Sequence, residues 1–104
     1  MNDLQSETVA WATETFPAAT PRSCLVHLMK ELGELGIAER DGDVTAIAEE
    51  AADCVLLLMH VTGRFYGIDL SAAVRAKLEV NKARAWSEPD ADGVQHHIKR
   101  EREA

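Results

Sequence analysis

The sequence predicts an all-α domain resembling a four-helix bundle, and three observations carry that expectation. Its apolar residues are dominated by Ala, Leu and Val, a mixture that favours helix. Pro, Gly and side chains suited to helix caps cut the chain into long segments. No stretch alternates apolar and polar residues for a useful length, so strands are not expected. Residues 1–104 read as one domain, with about 87–104 a turn and charged tail. There is no internal repeat, low-complexity tract or linker.

Asp3 or Ser6 can cap a first helix that runs through Trp11 to about Thr15. Phe16-Pro17 ends it, because a residue before proline is pushed out of the α region. Thr20-Pro21 opens the second helix, with Thr as cap and Pro at the first helical position, where its missing N–H costs nothing. Asp41-Gly42-Asp43 is a turn, and Asp43 caps a third helix from about Val44 to Phe65. The second half of that helix is nearly all apolar, the pattern of a buried helix. Gly67 suits the left-handed residue that ends it, and Asp69 caps a fourth helix, LSAAVRAKLEVNKARAW. Beyond Trp86, Ser87-Glu88-Pro89 and Asp92-Gly93 signal turns, and IKREREA is a charged tail.

Composition excludes several function classes. A net charge of −7 argues against gripping a nucleic-acid polymer, which needs clustered Lys and Arg. The longest apolar run, CVLLLM, is far too short to span a bilayer. MNDLQSETVA lacks a basic start followed by an apolar stretch, so no signal peptide is expected. Cys24 and Cys54 show neither C-x-x-C spacing nor a disulfide framework, so both are expected as buried thiols in a reducing cytoplasm. A domain this small buries somewhat under ~70% of its unfolded surface. So thin a core favours a homo-oligomer.

Two acidic pairs stand out, Glu31/Glu34 in KELGEL and Glu50/Asp53 in EEAADCVLLL. Carboxylates are rare on core-facing helices unless a cation neutralises them, because burying an unpaired charge is costly. At about 100° per residue, each pair spans about 60° of its helix, and His27 projects between Glu31 and Glu34. These three flank the apolar stripe of Leu25, Leu28, Leu32 and Leu35, where a neighbouring helix can reach them. Glu49 lies on the other side of Asp53, so either Glu49 or Glu50 can be the inner ligand. Two carboxylate pairs on consecutive antiparallel helices suit a divalent metal site. Hard oxygen donors with at most one His favour Mg²⁺ or Mn²⁺ over Zn²⁺.

The fourth helix supplies opposite charge. Lys77, Asn81 and Arg84 are spaced i, i+4, i+7 and project from one face, as a metal-bridged triphosphate requires. Lys82 points about 140° away from Lys77, toward solvent or a second subunit. Trp11 and Trp86 offer rings that can stack on a base or fill the core.

These residues resemble a known family. The acidic pairs followed by N-K-x-R-x-W are similar to the all-α MazG-like nucleoside triphosphate pyrophosphohydrolases, whose signature is EExxE, a spacer, then ExxD. More narrowly, WATETFP, HLMKELGEL, EEAADCVLLLMHVTGRFYGIDL, KLEVNKARAW and DGVQHH resemble the small phage-type dATP/dGTP pyrophosphohydrolases. The resemblance runs from about Trp11 to His97.

It implies hydrolysis of a dNTP, with purines (dGTP, dATP) favoured, to the monophosphate and pyrophosphate in nucleotide-pool control. It implies two or more Mg²⁺ ions, or Mn²⁺, on Glu31, Glu34, Glu50 and Asp53, with Glu49 in reserve. Glu34, with Glu31, is the expected proton acceptor. Lys77, Asn81 and Arg84 would hold the phosphates, with Lys82 and His27 as further candidates. Trp11 and Phe16 would meet the base. Homodimers or dimers of dimers, and an enzyme acting in the cytoplasm of a phage host, are also implied. One departure stands out: Lys30 occupies the first Glu of EExxE. The alternative reading follows from it, a catalytically weak helical interaction module on the same scaffold.

Overall fold

The structure is a computed structural model and describes residues 1–98. Residues 99–104, most of the expected charged tail, lie outside the described residues. The chain forms two compact units, Met1–Ala73 and Val74–Ala104.

The first unit is built from helices α1 (Asp3–Thr15), α2 (Pro21–Asp41) and α3 (Val44–Tyr66), and the start of α4 (Leu70–Ala83). α3 is central, packing against both α1 and α2. The expected caps for α2 and α3 are present. Thr20 and Ser23 form a reciprocal capping box, and Asp43 accepts from the Ala46 amide at 3.1 Å. Gly42 and Gly67 end α2 and α3 in the left-handed conformation, with φ of 67° and 62°. The first cap differs from expectation. Asn2, in extended backbone, accepts from the Gln5 amide at 2.8 Å. Asp3 instead sits in the first turn, where its charge complements the helix N-terminus.

One polar side chain ties this unit together. Gln5 is fully buried, and its amide nitrogen lies 3.2, 3.2 and 3.0 Å from acceptors on Met59, Thr62 and Ile68. Its oxygen accepts from the Leu70 amide at 3.0 Å. The bonds to the Ile68 carbonyl and from the Leu70 amide satisfy backbone groups between α3 and α4 and at the first residue of α4, where no helical partner exists. Gly63 lets α1 approach, since a Cβ there would come within 2.7 Å of Val9 Cγ2.

Burial of α3 is one-sided, a correction to the expected all-round burial. Cys54, His60 and Val61 are buried, yet Val55 and Leu56 are 46% and 37% exposed. Two partner helices cover only the faces turned toward them. The α2 stripe is likewise incomplete, with Leu25 and Leu32 about half exposed. Both cysteines are buried and free.

In the second unit, α4 stops at Ala83 rather than continuing to Trp86. The Asn81 carbonyl is satisfied by the Trp86 indole N–H at 2.9 Å and the Arg84 amide at 3.3 Å, which tightens and closes the helix. Ala85–Trp86 (β1) then pairs antiparallel with His97–Ile98 (β2), with Trp86 opposite His97. A ladder this short leaves no alternation in the sequence. The Asp92-Gly93 turn forms as expected, with Gly93 at φ 79° and Asp90 accepting from the Asp92 and Val94 amides.

Candidate active site

α2 and α3 form a helical hairpin closed by the Gly42–Asp43 turn, so residues early in α2 face residues late in α3. That pairing sets Cys24 beside His60 and brings the acidic pairs together midway. Carboxylate oxygens of Glu31, Glu50 and Asp53 lie within 4.8 Å of one another. Glu31 and Glu50 are half-buried and Asp53 is exposed. Glu49 is exposed and outside this trio, as is Glu34. Lys30 is also exposed, so the departure from EExxE removes no member of the trio.

Electrostatics makes this cluster unstable as three free anions. A hydrogen bond with Glu31 raises the Glu50 carboxyl to about 6, helped by burial and by the charges of Glu31, Glu34 and Asp53. Glu34 therefore acts on the cluster from beside it. Glu50 Oε2 is inaccessible to solvent and has no hydrogen-bond partner among the described residues. A buried carboxylate oxygen without a partner, among converging carboxylates on two helices, fits a hard divalent cation. His27 Nε2 lies 3.2 Å from Glu31 Oε1 and steadies that carboxylate.

Two of the trio, Glu31 and Asp53, border a cavity of about 650 Å³ between α1, α2 and α3. Trp11, Phe16, Leu56 and Leu57 make the rest of its wall largely apolar. Trp11 and Phe16 meet edge to face at 5.4 Å. A volume of this size is within the range of small-ligand sites.

The cavity also holds a group that sequence reasoning missed. Cys24 Sγ lies 3.7 Å from His60 Nδ1, and Arg64 reaches His60 Nε2 at 3.2 Å. Helical spacing carried the signal: Glu50, Asp53, Leu57, His60 and Arg64 repeat at three and four residues along one face of α3. The pair is not a nucleophilic dyad. Burial raises the Cys24 thiol, and burial together with the Arg64 cation lowers the His60 imidazole. Burial raises the Cys54 thiol too, reinforced by the carboxylates.

The cationic candidates belong to the second unit. Lys77 is exposed, and Lys82 pairs with Glu79 at 3.5 Å. Arg84 lies in the bend past the end of α4, so it does not extend the helical face expected of Lys77 and Asn81. Its guanidinium contacts Asn81 Oδ1 at 3.5 Å, and its Nε is inaccessible and has no partner among the described residues. Trp86 stacks edge to face on His97 at 6.2 Å.

Comparison with known proteins agrees with this geometry. The family model for dATP/dGTP pyrophosphohydrolases matches residues 4–104. A dATP/dGTP diphosphohydrolase of cyanophage S-2L is 34% identical over 96 residues, covering 92% of this chain and 86% of that protein. A dATP/dGTP diphosphohydrolase of Salmonella phage PMBT28 is also 34% identical over 96 residues, but this chain spans only 31% of it. Among solved structures, the cyanophage S-2L MazG-like pyrophosphohydrolase, bound to dGDP and three catalytic Mn²⁺ ions per active site, superposes with a TM-score of 0.73. It is 33% identical, with 93% of this chain and 95% of that chain covered. With two of its carboxylate trio bordering a ligand-sized cavity on a MazG-like helical scaffold, this chain belongs to the dATP/dGTP pyrophosphohydrolase family.

Proposed function

We propose that the protein hydrolyses purine deoxynucleoside triphosphates, dGTP and dATP, to the monophosphate and pyrophosphate. One observation carries the reading: the Glu31, Glu50 and Asp53 oxygens converge, and Glu31 and Asp53 form part of the wall of an apolar cavity sized for a small ligand. The named activities of the relatives and the nucleotide and metal in the neighbouring structure support it.

Divalent cations, Mg²⁺ in the cell and Mn²⁺ as a substitute, are the cofactor, held by Glu31, Glu50 and Asp53. When bound, they neutralise phosphate charge and make a water acidic enough to attack at neutral pH. Glu34, exposed beside the trio, joins the ligand set and takes the proton of the attacking water on a carboxylate oxygen, with Glu31 sharing the role. Glu49 stays in reserve. His27 orients Glu31 through their 3.2 Å contact. Trp11 and Phe16 receive the base by stacking. Lys77, Asn81 and Arg84, with Lys82 as a further cation, hold the β and γ phosphates, a role supported by their chemistry. The half-exposed apolar residues of α2 and α3 support a homodimer or homotetramer. The phage relatives support action on the nucleotide pool of a host cytoplasm, and no described helix is long and apolar enough to cross a membrane.

Incubating the protein with each dNTP and Mg²⁺, and scoring pyrophosphate and monophosphate, tests the reading. Pyrophosphate from dGTP or dATP is expected. A folded protein that releases none from any nucleotide would be an interaction module instead.

A further inference from the structure

We propose that Arg64 is a positioning residue for the nucleotide pocket: its guanidinium fork clamps the Phe16–Pro17 turn onto α3 and so fixes the Phe16 ring against Trp11. The inference rests on the pocket being the base site proposed above.

The clamp is made of two bonds to consecutive carbonyls. Arg64 donates through one terminal nitrogen to the Phe16 carbonyl at 3.0 Å and through the other to the Pro17 carbonyl at 3.3 Å. A planar guanidinium making two such bonds sets orientation as well as distance. Among the described residues, these are the only hydrogen bonds that reach residues 16–19 from beyond α1 and the turn itself; Thr20 is held separately by the α2 capping box.

The fork is braced from behind. The nitrogen that serves Phe16 also lies 3.2 Å from His60 Nε2. Arginine has no acceptor, so Nε2 is the unprotonated nitrogen and the ring hydrogen is on Nδ1, directed at Cys24 Sγ 3.7 Å away. His60 is only 4% exposed, and burial with the Arg64 cation favours the neutral ring this arrangement needs. A polar relay thus runs from Cys24 on α2, through His60 and Arg64 on α3, to the turn between α1 and α2. None of its members is a carboxylate of the trio.

If the clamp is lost, the Phe16 ring is no longer fixed, and ordering it again falls on substrate binding. The carboxylates are untouched. The expected signature is a rise in KM with kcat preserved.

The test combines hydrogen exchange of the Ala18–Thr20 segment in nucleotide-free protein with steady-state kinetics on dGTP and dATP. Arg64→Met keeps the aliphatic stem and removes the donors. It should speed exchange of that segment and raise KM about tenfold each, with kcat within about threefold. Arg64→Lys, whose single ammonium cannot hold two carbonyls in one plane, should fall between Met and wild type in both readouts. A folded Arg64→Met protein with unchanged exchange overturns the proposal, as does a fall in kcat at constant KM. If Arg64→Met does not fold, Arg64→Lys decides alone, and behaviour identical to wild type overturns the clamp. A wild-type protein that releases no pyrophosphate would sink the nucleotide reading, while the exchange data would still decide for or against the clamp.

Discussion

Carboxylate oxygens of Glu50, on α3, and Glu31, on α2, lie within 4.8 Å of each other, and the Glu31 carboxyl raises that of Glu50 to about 6. The fold holds the two groups too close for Glu50 to ionise as readily as a free carboxyl. Cations and protons therefore compete for one place.

Glu50→Gln separates stability from activity. The amide keeps the shape and removes one charge from the cluster, so the metal-free variant should melt at a higher temperature than wild type. Pyrophosphate release should fall by about a thousandfold or more, as the loss of the proposed metal ligand requires. Thermal melts in chelator alongside turnover assays check both halves. A metal-free variant that melts lower than wild type would contradict the repulsion inferred here.

Stability without metal should depend on pH with a defined sign. The ordinary value for Glu50 is 4.5, and the fold raises it to about 6, so the folded chain holds that proton more tightly. Its contribution is complete below about 4.5 and is lost as pH rises through about 6. Asp69, lowered by the Ala72 amide, has the opposite sign, but its change falls below its ordinary value of 3.8, outside this window. His60, lowered from 6.5 by burial and the Arg64 cation, has the opposite sign within this window, so the Glu50 part is read as a difference. In chelator, the melting temperature of wild type should fall relative to that of Glu50→Gln between pH 5 and pH 7, and the gain from saturating Mn²⁺ should widen over the same range. A metal-induced gain that shrinks toward pH 7 would be the contrary result.

Trp11→Ala should weaken nucleotide binding more than chemistry. Stacking on an aromatic ring is worth about 1–3 kcal/mol per base, roughly a 5- to 150-fold rise in KM. The ring is more than half exposed, so little folding stability should go with it. Steady-state kinetics and a denaturant titration on the same preparation distinguish the two effects.

Gln5→Leu should be among the most damaging conservative-volume changes in the first unit. It strands the Leu70 amide and the Ile68 carbonyl, at about 1–3 kcal/mol for each buried group left without a partner. Urea unfolding should show a loss of about 3 kcal/mol.

Gly63→Ala puts a methyl within 2.7 Å of Val9 Cγ2 and 3.0 Å of Gln5 Nε2. Overpacking of this kind costs about 1–3 kcal/mol, and α1 must shift to relieve it. Because α1 carries Trp11, KM should rise together with the loss in stability. An unchanged KM in the destabilised variant would uncouple the α1 contact from the pocket.

What could be read in the sequence was local or chemical. Thr20-Pro21, Asp43, Gly42 and Gly67 announce helix ends through their own conformational limits, and the structure has each of them as a cap. The acidic pairs were legible because carboxylates at helical spacing beside an apolar run have few uses. Choices that depend on how helices meet were not legible. Glu49 and Glu50 are adjacent in the chain, yet only Glu50 turns toward Glu31. Gln5, Gly63 and Arg64 gain their importance from neighbours about fifty or more positions away. The early end of α4 depends on Trp86 returning to Asn81, which helix propensity does not express.

The Gly42–Asp43 turn has one more consequence. It acts as a ruler: with only two residues between the helices, the distance along the chain from Glu31 to Glu50 and Asp53 sets which side chains meet. A single residue inserted in either helix between Glu31 and Asp53 would rotate everything beyond it by about 100° and break the cluster. Length can change harmlessly only in matched steps of about seven residues, two helical turns, added to both arms of the hairpin. Segment length there is thus as much a part of the active site as the carboxylates themselves.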